Sequence, residues 1–496
     1  MVLARGRLAA GVIFLAAWIV YWNSLGGEFV FDDTSIIQSN PQIRGLNADN
    51  LSRIFGSHYW QTAAGQGGLY RPVVILSYAL NHAAGGLDPW GYHFVNVLLH
   101  ALNAVLVFVV IEELFQDRRF AFWSGVLFAL HPIRSEGVAY VAGRAEPLAA
   151  LFFLAAWWCY LRRRWAAGAV AFLLAALSKE SAFTFLLIPV LSDVVRRRKP
   201  EPIGWAGFAL AAAAALGLRH AVLGGVAPLA ISHSANPLAA APAAARLFTA
   251  VEVAGRYVWL LLFPVPLSAD YSFNQIPVVT TPWGAGFLVS AALLLGLAAL
   301  LPWCLRRAPP LFLCLALFFG TFSLTSNLLR PIGTIMAERL MYLPSMGFTC
   351  ALAWALSKAR NRDAATAAAL LLALLYGGRT IVRNQDWNDH LALFSSAAVV
   401  SPGSALVQAN LANALLHQAR DPKGAVEHAL AATRIEPSDP AAHMTLADAR
   451  AVLGDLPGAR SAYAQVEKLA PGTGGAQEAA RRRLALGDAG LGGVTR

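Results

Sequence analysis

Residues 8–33 read LAAGVIFLAAWIVYWNSLGGEFVFDD, an apolar run of near-spanning length that ends on two adjacent carboxylates, Asp32 and Asp33. Arg5 and Arg7 precede it, as they would a secretory signal. The apolar core is long for that role and no clear small-residue cleavage site follows, so it is expected to stay as an uncleaved first span. The two acids then emerge at the far membrane surface. An ionisable pair at that depth marks a functional site unless it is paired or capping.

The rest of the 496 residues has the same character. Hydrophobic side chains make up 57% and charged ones 14%, against roughly 25% charged in a soluble domain, and mean hydropathy is +0.53. Up to Val382 there are 28 Lys and Arg against 17 Asp and Glu; from Arg383 onward there are 11 of each. The whole surplus of +11 thus lies beside apolar segments, where membrane orientation requires it, which argues against nucleic acid as a partner. Cys159, Cys304, Cys314 and Cys350 all lie in apolar stretches without metal-ligand spacing and read as core packing.

Eleven apolar runs predict an all-α, polytopic domain over 1–382: 8–25, 93–114, 120–131, 146–161, 165–177, 182–195, 203–223, 283–304, 310–329, 338–357 and 363–382. Basic clusters at Arg5 and Arg7, Arg118 and Arg119, Arg162 to Arg164, Arg196 to Lys199, Arg306 and Arg307, and Lys358 to Arg362 fall at every second boundary. Those turns are expected to be cytoplasmic, with the N-terminus. The parity requires that 246–264 lie in the membrane plane or re-enter. The loop 26–90, the stretch His131–Glu146, the turn at Lys179 and Glu180, the segment 330–339 and the C-terminus then all face outward from the cytoplasmic membrane.

From 383 to 496 the texture changes to Ala-rich amphipathic helix. Pro402, Pro437 and Pro471 are 35 and 34 apart, and Gly424-Ala425 recurs at Gly458-Ala459. That period resembles tetratricopeptide repeats, two full units with flanking half-units, and predicts a short solenoid for holding a partner or acceptor near the membrane. A rigid cap on the outer face is the plainer role for the same helices.

Asp32 and Asp33 are the leading catalytic candidates. Adjacent acids in a low-dielectric setting cannot both keep ordinary proton affinity, which suits one to general-base work while the other orients it. Helix capping over 34–55 by Asp33 is the competing role. His93 and His100 share one helix face and read as packing, or as partners of Asn96. Nothing has a metal spacing specific enough to decide whether a divalent cation is needed. There is no Walker loop, HExxH or GxSxG.

The blocks FVFDD, LYRPVVILSYALNHAAGGLDPWGYHFVNVLLHALNA, LFALHPIRSEGVAYVAGRAEPLAAL, LSKESAFTFLLIPVLSD, AERLMYLPSMGF and RNQDWNDHLALF occur in this order ahead of the repeats. Over essentially the whole chain this resembles the TMTC family of transmembrane and tetratricopeptide-repeat protein O-mannosyltransferases and their bacterial relatives. The resemblance implies a GT-C fold and an inverting glycosyltransferase. It would move a sugar, mannose or another hexose, from a polyprenyl-phosphate carrier to Ser, Thr or Tyr hydroxyls of exported proteins recruited by the repeats. It also implies that Asp32 and Asp33 form the catalytic pair.

A lipid-phosphate leaving group calls for cations near the membrane surface. The candidates are Arg71 in YRP, His131 and Arg134 in HPIRSE, Arg144, Lys179 in SKES and Arg339 in AER, with Glu136, Glu180 and Glu338 beside them as ready ion-pair partners. This chain has HPIRSE where relatives often have HPVHTE, so Arg134 replaces a histidine and any shuttle or metal role of that residue falls into question. Two other functions fit the same features less well. One is a GT-C transferase acting on a lipid or surface glycan. The other is a membrane scaffold without catalysis, which the outward-facing acids argue against.

Overall fold

A computed structural model of the chain describes residues 2–60, 68–225 and 231–491, and part of the expected outer loop 26–90 and the C-terminus itself lie outside them. Among the described residues the regular structure is helical throughout. Each of the eleven apolar runs contains a helix. Five are long and apolar enough to cross a membrane: Gly6–Ser24, Pro89–Phe115, Pro202–Leu223, Ala285–Arg307 and Arg362–Gln385. A sixth crossing arises if the bent pair Pro132–Val138 and Val141–Leu161, which turns by 101°, counts as one span. The other runs are shorter, such as Trp165–Ser178, and their helices lie against longer neighbours.

The bundle centre forms where Val2–Tyr21, Pro89–Phe115, Arg118–Leu130 and Ala145–Leu161 meet. Small residues let these backbones approach. A Cβ on Gly125 would meet Ile13 Cδ1 at 2.8 Å, and at a separate seam, between Pro309–Phe322 and Pro344–Lys358, one on Gly347 would meet the Cys314 carbonyl at 2.4 Å. All four cysteines are buried and unpaired. The segment expected to lie in-plane is a 20-residue helix, Ala243–Leu262. It carries Arg246, Glu252 and Arg256 and is not among the five apolar crossings.

The composition change at 383 falls inside a continuous helix, Arg362–Gln385. Beyond it, His390–Val400, Ala405–His417, Pro422–Ile435, Pro440–Val452 and Leu456–Leu469 follow on short turns, each packed on the next. Short connections of this kind make neighbouring helices antiparallel. Two capping turns repeat 34 residues apart: Asp421 accepts the Gly424 N–H and Asp455 the Gly458 N–H, both at 3.0 Å. A Cβ on either glycine would collide with its capping carboxylate, so the glycine is part of the cap. Ala412, Ala429, Leu446, Ala447, Tyr463 and Val466 fill the space between the helix pairs.

Candidate active site

The chain leaves its first helix through Trp22–Ser24 and turns sharply at Phe31, where φ is +52°. Asp33 stands before the short turn Thr34–Gln38 but makes no capping bond there. Its side chain instead folds inward and is completely buried. Oδ2 accepts the Val30 N–H at 3.0 Å and Oδ1 the Ala142 N–H at 2.7 Å. Burial pushes its carboxyl well above the usual range, with the two amide bonds pulling the other way. Asp32, by contrast, is half-buried.

The break at 139–140 between the bent helices supplies the floor beneath these acids. Tyr140 accepts the Asp32 N–H through its hydroxyl at 3.1 Å, and Ala142 holds Asp33. Gly143 makes the turn fit, since a Cβ there would lie 2.4 Å from the Glu136 carbonyl. Burial raises the proton affinity of Asp32 above that of an ordinary carboxylate, Arg339 opposes this, and Glu136 and Asp270 add to it. A carboxylate so placed is a stronger base at neutral pH than a free one.

Four cations lie in the same region, each with a carboxylate partner. Arg339 pairs with Glu136, and Lys179 pairs with Glu146. Arg71 donates to Glu180 Oε2 at 2.8 Å, and Arg219 donates to Oε1 of the same carboxylate at 3.0 Å. Burial works to raise Glu180, but Arg71 and Arg219 outweigh it and hold the group down at about 2. Arg71 is fixed because it immediately precedes the helix Pro72–Gly85, and its guanidinium lies 5.3 Å from the Tyr59 ring centroid. Behind them Glu338 takes the Tyr271 hydroxyl at 2.8 Å and faces Arg383 at 3.5 Å.

Of the residues singled out in the sequence, Asp32, Asp33, Arg71, Lys179, Arg339, Glu136 and Glu180 therefore gather in one region, and Glu338 backs it. His131, Arg134 and Arg144 do not reach the open surface. His131 is buried with Nε2 on the Leu261 carbonyl. Arg134 stacks 3.8 Å from the Phe128 ring centroid and donates to the Phe128 carbonyl. Arg144 lies beneath Asp33, bound to Asn96, Asn81, Ser77 and Tyr92. Their partners also differ from the sequence neighbours expected, because Arg134 does not meet Glu136, Arg339 does not meet Glu338, and Lys179 does not meet Glu180. His100 bonds Tyr342 and the Ala129 carbonyl, and Asn96 binds the 138–141 turn rather than a histidine. Tyr59, Tyr140, Arg219 and Asp270 belong to the region without having been flagged. Tyr140 stands within the AYVAGRAEP block, whereas Arg219 closes an apolar helix and carries no local signal. No group of three His, Cys, Asp or Glu suited to a metal occurs among the described residues.

Helical throughout its described residues, this is an integral membrane protein with a charge-paired site built where several helix ends converge. A family model described as "Protein O-mannosyl-transferase TMTC, DUF1736" matches residues 226–298. Protein O-mannosyl-transferase TMTC3 of Mus musculus is 28% identical, covering 91% of this chain and 54% of its own. Protein O-mannosyl-transferase TMTC1 of Homo sapiens is 30% identical over 86% of this chain and 55% of its own. The chain thus spans about half the length of these curated relatives. Among solved structures, ArnT from Cupriavidus metallidurans bound to undecaprenyl phosphate aligns with a TM-score of 0.40 at 14% identity, over 92% of this chain and 80% of that one. The TMTC resemblance read from the sequence is borne out: this chain is TMTC-like over most of its length.

Proposed function

We propose that the chain is a GT-C-type glycosyltransferase that carries mannose or another hexose from a polyprenyl phosphate to hydroxyl groups of exported proteins, with inversion at the anomeric carbon. The observation that carries this reading is the division of labour in the acidic pair. Asp33 spends both oxygens on main-chain amides, while Asp32 beside it is a half-buried residue of elevated proton affinity. The names of the relatives point to the same chemistry.

In this mechanism the acceptor hydroxyl donates to Asp32, loses its proton as its oxygen attacks the anomeric carbon, and the carrier phosphate departs with the bonding electron pair. Arg339 and Arg71, the two most exposed of these four cations, receive the developing charge. Lys179 lies deeper and supports them with its charge matched by Glu146. The outward orientation, the donor carrier and recruitment of acceptors by a tetratricopeptide-like array at 383–496 are parts of the same proposal.

The test is transfer from polyprenyl-phosphate mannose to an acceptor peptide by the protein in lipid nanodiscs. Asp32→Asn keeps the volume but cannot take the proton, so turnover should fall by about 10²- to 10⁴-fold with the melting temperature unchanged. Wild-type turnover in that variant would reject the reading.

A further inference from the structure

The block RNQDWNDHLALF, residues 383–394, supplies nothing to the transfer chemistry above, yet it packs directly on the loop that ends at Asp32. Phe31 holds a left-handed conformation at φ +52°. A bulky residue stays in that region only where its surroundings over-determine it. The Phe31 N–H donates to His390 Nε2 at 3.1 Å, and its ring meets Phe394 edge-on at 5.8 Å. One turn earlier the Glu28 N–H donates to the Asn388 carbonyl at 2.7 Å. On the other flank Trp387 stacks on Tyr140 at 5.1 Å, and Tyr140 accepts the Asp32 N–H. The amides of Phe31 and Asp32 are thus both anchored by this one segment, the first directly and the second through a ring stack.

We propose that His390 is a positioning residue for the transfer reaction: by accepting the Phe31 N–H it fixes the left-handed turn that aims the Asp32 carboxylate, and it does so only while Nε2 is unprotonated. The inference rests on Asp32 being the base. The hydrogen bond requires the proton on Nδ1, and a protonated imidazole would present a donor to a donor. The charged groups facing His390 are Glu28 and Asp389, and the latter also caps its own helix by accepting the Ala392 N–H. The other neighbours are the Phe31 main-chain amide and the Phe394 ring. Both carboxylates draw the proton on, but burial outweighs them and keeps the imidazole below its usual value. It is therefore neutral at physiological pH and fails as an acceptor only in acid.

The experiment compares wild type, His390→Ala and His390→Gln in nanodiscs, with turnover measured against pH from polyprenyl-phosphate mannose to a peptide. The Gln amide oxygen can occupy the Nε2 position and does not titrate. His390→Ala should lower kcat roughly tenfold with the acceptor KM unchanged, and His390→Gln should restore it. On the acid side the wild-type rate should steepen toward a two-proton dependence, one proton each for Asp32 and His390, while His390→Gln retains a one-proton dependence. Wild-type kcat in His390→Ala, or an identical two-proton limb in His390→Gln, overturns the proposal. If the alanine variant does not fold, the glutamine profile alone decides. An inactive Asp32→Asn with indifferent His390 variants removes only this inference, whereas an active Asp32→Asn removes both.

Discussion

Arg339 and Glu136, 203 positions apart, make a two-point contact: one carboxylate oxygen accepts the Arg339 main-chain N–H at 2.7 Å and the other accepts its guanidinium. The acid is fully enclosed while the arginine side chain keeps 29% of its exposure. The contact ties the 335–342 segment to the bent helix pair and leaves one edge of the guanidinium available. Glu136→Gln keeps an acceptor but loses the charge. We expect a loss of about 1–3 kcal/mol, seen as a lower melting temperature in detergent, together with weaker use of the lipid-phosphate donor. An unchanged melt would show that the contact contributes nothing.

Asp33→Asn should behave differently from Asp32→Asn. Both Asp33 oxygens face amide donors, so an amide side chain must set its own NH2 against a main-chain N–H. A buried donor left unsatisfied costs about 1–3 kcal/mol. The expected result is a drop in thermal stability alongside lost turnover, and a melting curve equal to wild type would refute the structural role.

The Lys179–Glu146 pair is buried on both sides, at 8% and 7% side-chain exposure. Removing one partner strands the other, at about 3–5 kcal/mol. Lys179→Met and Glu146→Leu should each be strongly destabilising, and the double variant should recover much of the loss. Additive penalties in the double-mutant cycle would contradict this.

Burial raises the Glu338 carboxyl from 4.5 to about 7, with Glu136 adding to the rise and Arg383 opposing it. A folded-state value above the unfolded one means that the protonated acid is favoured in the fold. Its contribution is complete below pH 4.5 and is lost as pH rises through about 7. Glu338→Gln should flatten the stability profile over that window. A wild-type profile in the variant would rule the group out.

The helix Ala405–His417 lends Val407 and Leu411 to a cluster with Val30, Trp387 and Phe394, and Ser404 bonds Asp270 at 2.7 Å. Removing 421–496 leaves that cluster whole. That truncation should keep transfer to a short peptide and lose transfer to full-length acceptor proteins. Removing 403–496 exposes Val30 and Phe394 and should lower the melting temperature. Full activity on protein acceptors after the shorter deletion would exclude recruitment by the outer helices.

The apolar helices and the Asp32–Asp33 pair were legible because each depends on local signals, runs of apolar residues bounded by arginines and two acids at the end of one, although only five or six of the eleven expected spans are helices long and apolar enough to cross. The ion pairs were not. Glu136 and Glu338 flank Arg134 and Arg339 in sequence, but helix ends decide who meets whom, so Arg339 crosses to Glu136 and Glu338 turns back to Arg383. Arg134 and Arg144 looked like surface cations for the same reason. A charge carries no mark of enclosure when its partners are main-chain carbonyls, neutral side chains and aromatic faces. Arg219 shows the converse, being a site residue concealed in an Ala-rich helix.

The site gathers five cations, Arg71, Arg144, Lys179, Arg219 and Arg339, against six carboxylates, Asp32, Asp33, Glu136, Glu146, Glu180 and Asp270. From a Debye length away, about 8 Å at physiological ionic strength, such a set projects no surplus positive field. Anionic headgroups drifting past in the leaflet are therefore not drawn in by charge alone. Discrimination begins only at contact, when a phosphate exchanges places with a resident carboxylate, and capture of the carrier should vary little with added salt.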